Sequence, residues 1–111
     1  VFQEESYSNF SFVELYNLVK NRKENPIEGS YTNYLFDKGV DKIIKKVGEE
    51  ATEVIIGAKN NDKQEVVYEV SDLAYHLIVL MIEQGITLEE VKLELANRHV
   101  IDKKIKQEKM V

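Results

Sequence analysis

The sequence predicts an all-α protein, a bundle of four to five helices. Three observations carry that prediction. Apolar residues recur at intervals of three and four, the spacing that lines one face of a helix, and no segment alternates as a half-buried strand would. A single proline and five glycines leave few interruptions in 111 residues. Hydrophobic residues make up 43% of the chain, enough for a real core at the length of one short domain.

The elements follow in order. Ser11 is placed to cap a first helix carrying Phe12, Leu15, Tyr16, Leu18 and Val19. That helix ends before Asn25-Pro26, because the residue preceding a proline avoids the helical region. Pro26 to Ser30 reads as a linker, and Ser30 to Phe36 as a short helix stopped at Lys38-Gly39. A third helix bears the clearest apolar stripe: Val40, Ile43, Ile44, Val47, Ala51, Val54, Ile55 and Ala58. Asn60-Asn61-Asp62 makes the turn into a fourth helix, from about Lys63 to Gln84, which stops at Gly85. Thr87 and Glu90 form a capping box that opens a fifth helix, whose apolar positions thin out towards a lysine-rich tail.

Composition excludes several function classes. A net charge of −5 leaves no dominant basic surface, so a general nucleic-acid binder is not expected. The absence of cysteine rules out a disulfide framework and a zinc–thiolate site, and suits a cytoplasmic protein. No apolar run approaches the roughly 18 residues that span a bilayer, so no membrane partner is expected. The chain opens on Val1 without an initiator Met, which fits either Met removal or a fragment of a longer polypeptide.

Two acidic clusters point to chemistry. Glu50 with Glu53, and Glu69 with Asp72, each stand three residues apart, so each pair projects from one side of its helix. Antiparallel packing of the two helices would merge them into one patch of four carboxylates. Such a patch repels itself unless a cation sits among the acids, and an all-oxygen set favours a hard divalent ion such as Mg²⁺. Phosphate chemistry is the expected use.

Around the third helix, Lys42, Lys46, Glu49, Glu50 and Glu53 share one flank, opposite Lys45, Thr52, Ile56 and Lys59. The i, i+4 pairs on that flank also fit an ordinary solvated face. The fourth helix weighs against that plain reading. From Leu73 to Ile82 it is apolar nearly all round, yet Glu65, Glu69, Asp72 and His76 form one stripe along it. Carboxylates on a largely enclosed helix call for a compensating charge.

Gly48 and Gly57, inside the third helix, each cost about 1 kcal/mol relative to Ala, which close approach of a helix or ligand would explain. His76 fits either a group orienting the Asp72 carboxylate or a histidine satisfied in the core. His99 is assigned no role. Surface accounting predicts a homodimer or higher homo-oligomer, since so short a chain cannot cover a helix apolar on nearly every side.

The segment from Ser30 to Leu80 resembles the phosphoribosyl-ATP pyrophosphatases of histidine biosynthesis. The resemblance rests on Ser30-Tyr31-Thr32, Leu35 to Gly39, Lys42-Ile43, Lys46 to Glu53, and Glu69 to Leu77. The wider superfamily of all-α nucleoside-triphosphate pyrophosphatases carries E-E-x-x-E followed by E-x-x-D, matched here by Glu49, Glu50, Glu53, Glu69 and Asp72. The resemblance implies hydrolysis of phosphoribosyl-ATP, a small phosphorylated nucleotide, to phosphoribosyl-AMP and pyrophosphate with Mg²⁺ as cofactor.

Residues 30–111 would then be the helical enzyme domain, and residues 1–29 an N-terminal linker and helix. Phe2 to Ser6 is similar to the junction of bifunctional proteins in which a phosphoribosyl-AMP cyclohydrolase domain comes first. On this reading Glu50, Glu53, Glu69 and Asp72 hold the metal, and Glu49, Glu50 and Glu53 are the catalytic acids. Lys42 and Lys46 meet phosphate oxygens, Lys38 and Arg98 are candidates for the ribose 5-phosphate end, and His76 supports the site. Two other readings compete. One is a house-cleaning pyrophosphatase for ordinary or damaged nucleoside triphosphates. The other is a helical interaction module whose acids only keep it soluble.

Overall fold

A computed structural model describes residues 10–98; the lysine-rich tail, His99 and the junction-like Phe2 to Ser6 lie outside the described residues. Five helices follow one another: α1 (Phe12–Glu24), α2 (Tyr31–Lys38), α3 (Val40–Lys59), α4 (Lys63–Glu83) and α5 (Leu88–Arg98). No strand occurs among the described residues, and the all-α expectation holds.

Each boundary has a local cause. Ser11 Oγ accepts the Glu14 amide at 3.1 Å and Asp62 Oδ1 accepts the Glu65 amide at 3.1 Å, satisfying donors that a helix start leaves free. Thr87 and Glu90 bond reciprocally, at 2.8 and 3.1 Å, as a capping box does. Gly39, at φ 92°, ends α2 and starts α3 in one residue, a conformation that a Cβ would strain. Gly85, at φ 72°, closes α4 while the Ile86 amide returns to the Met81 carbonyl at 2.8 Å.

The three-residue turn Asn60–Asp62 folds α3 back on α4, and these two share the most extensive helix–helix contact. At that end Gly57 earns its place. A Cβ there would lie 3.3 Å from Glu65 Cγ and from Val66 Cγ2, so glycine lets the helices close. Gly48 has no such neighbour within 4 Å, and close approach within the chain does not explain it.

One core joins four of the helices: Val19 from α1, Leu35 from α2, Ile43 from α3, and Ile78, Val79 and Ile82 from α4. Asn33 reinforces it, donating to the Arg22 carbonyl and accepting the Ile27 amide at 2.7 Å, which pins α2 under the end of α1. Tyr16 donates to the Ile86 carbonyl at 2.9 Å and fixes the other end of α1. The helix α5 contributes no buried residue. Among the described residues the near-continuous apolar surface of α4 is only partly covered, since Val67, Tyr68, Val70 and Leu77 are exposed.

Candidate metal centre

The antiparallel α3–α4 pair brings the acids together. Glu50, Asp72 and His76 offer ligand atoms within 4.8 Å of one another, and so do Glu53, Glu65 and Glu69. The two groups adjoin, because Glu50 and Glu69 also lie within hydrogen-bonding reach of each other. The predicted patch is therefore a pair of lobes, with Glu65 in the second. Glu65 belongs to the same α4 stripe as Glu69 but lies outside the E-x-x-D motif, so the motif alone does not single it out.

Burial and charge interact strongly here. Glu50 and Glu69 are each only 7% exposed, and Oε1 of Glu69 has no hydrogen-bond partner among the described residues. Burial, followed by the competing carboxylates of Glu50 and Glu65, pushes Glu69 up to about 7. Burial opposes ionisation of Glu50 too, but hydrogen bonds with Glu69, Lys46 and Asp72 outweigh it and hold its pKa below the usual value. The two neighbouring carboxylates are thus driven apart, Glu69 being the one that holds a proton more readily. Burial and the Glu50 charge raise Asp72.

Lys46 is the bound counter-charge, 3.3 Å from Glu50 Oε2 and 3.3 Å from Glu49 Oε1. Burial works against its ammonium, but hydrogen bonds to Glu50 and Glu49 prevail and raise its pKa. Glu49 itself belongs to neither lobe.

His76 is 2% exposed, and its bonds are specific. Nδ1 lies 2.8 Å from the Asp72 backbone carbonyl, which can only accept, so Nδ1 carries a proton. The Asp72 carboxylate is more distant, at 3.4 Å. Nε2 lies 3.0 Å from the Tyr31 hydroxyl, which donates to it when the ring is neutral. Both ring nitrogens are therefore engaged, and the histidine supports the backbone at Asp72 from behind.

Among the described residues, the remaining basic candidates form no ion pair with these acids. Lys38 and Lys42 each place an ammonium 5.8 Å from the centre of the Tyr34 ring. Arg98 is ion-paired to Glu94 of its own exposed helix at 2.6 Å. Sequence reasoning missed the tyrosines: Tyr31 stacks between Tyr34 and Tyr75, at 6.0 and 6.2 Å. Their spacing at positions 31 and 34, one helical turn, was the available signal.

The sequence model of the phosphoribosyl-ATP pyrophosphohydrolase family matches residues 12–99. The chain belongs to that family. Its members include a phosphoribosyl-ATP pyrophosphatase of Listeria monocytogenes, 67% identical over 77% of this chain and 82% of the relative. One of Clostridium botulinum is 57% identical over 76% of each. A histidine biosynthesis bifunctional protein HisIE of Caldanaerobacter subterraneus subsp. tengcongensis is 59% identical over 88% of this chain, but only 48% of its own length is matched. The chain spans about half or less of the bifunctional relatives it matches.

Proposed function

We propose that this chain hydrolyses phosphoribosyl-ATP to phosphoribosyl-AMP and pyrophosphate, in histidine biosynthesis and in the cytoplasm, with Mg²⁺ held by Glu50, Glu53, Glu69 and Asp72. The observation that carries the reading is Glu69, a buried acid with Glu50, Glu53 and Glu65 close by, whose Oε1 has no partner among the described residues. A hard divalent cation satisfies that oxygen and cancels the repulsion that otherwise keeps a proton there. Family membership supplies the substrate class.

When bound, the ion draws charge from the phosphate oxygens and lowers the pKa of an attacking water. The side chains then have distinct tasks. Lys46, close to both Glu49 and Glu50, faces the phosphate as a point charge. Water adds at the α-phosphorus, the bond to the β-phosphate oxygen breaks, and pyrophosphate leaves. Glu49, which stands outside both lobes, takes the proton of that water. His76 and Tyr31 hold Asp72 in place from the protein side.

The exposed apolar side chains Ile44, Ile55 and Ile56 of α3, with Val67, Val70 and Leu77 of α4, support a homodimer or larger homo-oligomer. The bifunctional relatives support a native polypeptide that also carries a phosphoribosyl-AMP cyclohydrolase domain. Purified protein with Mg²⁺ and phosphoribosyl-ATP should release pyrophosphate. Glu50→Gln and Glu53→Gln should abolish release while the helical circular dichroism persists. Equal turnover with and without divalent ions would overturn the reading, and preference for dATP or dUTP would reassign the protein to house-cleaning. Light scattering after size exclusion tests the oligomer; a monomer at micromolar concentration would refute it.

A further inference from the structure

A cavity of about 640 Å³ opens between the α1–α2 linker and α2, within the size range of small-ligand sites. Among the residues that line it are Tyr31 and Tyr34 and two acids, Glu28 and Asp37. It connects with the metal centre through Tyr31, whose hydroxyl bonds His76 and whose phenol feels the charges of Lys46, Asp72 and Glu50. The Tyr34 ring already attracts cations, since the ammonium groups of Lys38 and Lys42 both lie 5.8 Å from its centre. Tyrosine faces and acids suit a cationic planar group, and the two neighbouring lysines suit an anion attached to it.

Resting on the substrate proposed above, we infer that this cavity seats the purine of phosphoribosyl-ATP and selects it by charge. In that compound a second ribose is attached to N1 of the adenine. Substitution at N1 turns the ring into a basic amidine that is protonated at neutral pH, whereas the adenine of ATP is neutral there. The amidinium lies against Tyr31 and Tyr34 with Asp37 and Glu28 as counter-charges, and the 5-phosphate of the added ribose meets Lys38 and Lys42. The site thereby rejects ATP, which shares the triphosphate but lacks the charged ring. Selection through a charge that only the right ligand carries is stronger than selection by shape alone.

The test uses N1-methyl-AMP and AMP, titrated into the whole protein without metal at pH 7 and followed by calorimetry. The two nucleotides carry the same phosphate and differ in the methyl group and the ring charge it confers. The wild-type protein should hold N1-methyl-AMP roughly tenfold more tightly, the range of a cation on an aromatic face. The preference should vanish in a Glu28→Gln/Asp37→Asn double variant, whose substituted side chains are exposed and leave the fold intact. It should also fade as pH rises and the amidinium loses its proton. Equal affinity for the two nucleotides, or a preference that survives in the double variant, would overturn the inference. Pyrophosphate release and metal binding are not measured here, so this outcome is separate from that of the parent reading.

Discussion

Metal binding to this site should expel a proton, and the number of protons expelled can be worked out in advance. The acid concerned is Glu69, whose pKa burial and the neighbouring Glu50 and Glu65 push up to about 7. At pH 6 such a group is about 90% protonated, and at pH 8 about 10%. A cation that takes its place therefore releases about 0.9 proton per site at pH 6 and about 0.1 at pH 8. Calorimetric titration of Mg²⁺ in two buffers of different ionisation enthalpy measures this number directly. Metal-free stability follows the same group. The unfolded carboxyl titrates near 4.5, so between that value and about 7 the folded state binds more protons. The contribution is fully present below 4.5 and is lost as pH rises through about 7. The metal-free Tm should fall over that window, and saturating Mg²⁺ should reduce the fall. Release of no proton at pH 6, or a metal-free Tm that rises across the window, would refute the account of Glu69.

Three further substitutions separate packing from positioning. Gly48→Ala should stabilise the protein by about 1 kcal/mol in a urea melt, because the site is open and helix propensity alone acts. Gly57→Ala should fall short of that gain and weaken Mg²⁺ binding, since its Cβ presses on Glu65 at 3.3 Å; equal gains for both variants would contradict the close helix crossing. Tyr31→Phe keeps the ring but deletes the hydroxyl bonded to His76, and should cost about 1 kcal/mol of stability. It should also weaken Mn²⁺ binding about tenfold, read from the free-ion electron paramagnetic resonance signal, as expected for a group that supports a ligand from behind.

Much of the architecture was legible because its causes are local. Ser11, Asp62, Thr87 with Glu90, and Gly85 mark helix ends through contacts within a few positions, and periodicity marks the faces between them. The convergence of Glu50, Glu53, Glu69 and Asp72 was also readable, since a three-residue turn leaves α3 and α4 little choice but to pair antiparallel. What escaped depends on distance in sequence or on fine rotation. Tyr31 reaches His76 across 45 positions, which no helical spacing reports. The choice of Nδ1 for the Asp72 carbonyl rather than its carboxylate is a matter of side-chain rotamer. Gly48 and Gly57 look alike in sequence, and only the crossing point of the helices tells them apart.

The short turn at Asn60–Asp62 has a kinetic consequence as well. Because both acid-bearing helices are consecutive, this half of the fold is a local hairpin that can form without waiting for remote segments, and such low contact order favours rapid folding. Self-repulsion among the carboxylates then acts on the earliest structure rather than the last. If the site takes a divalent ion as proposed, that ion would ease folding before it served any reaction.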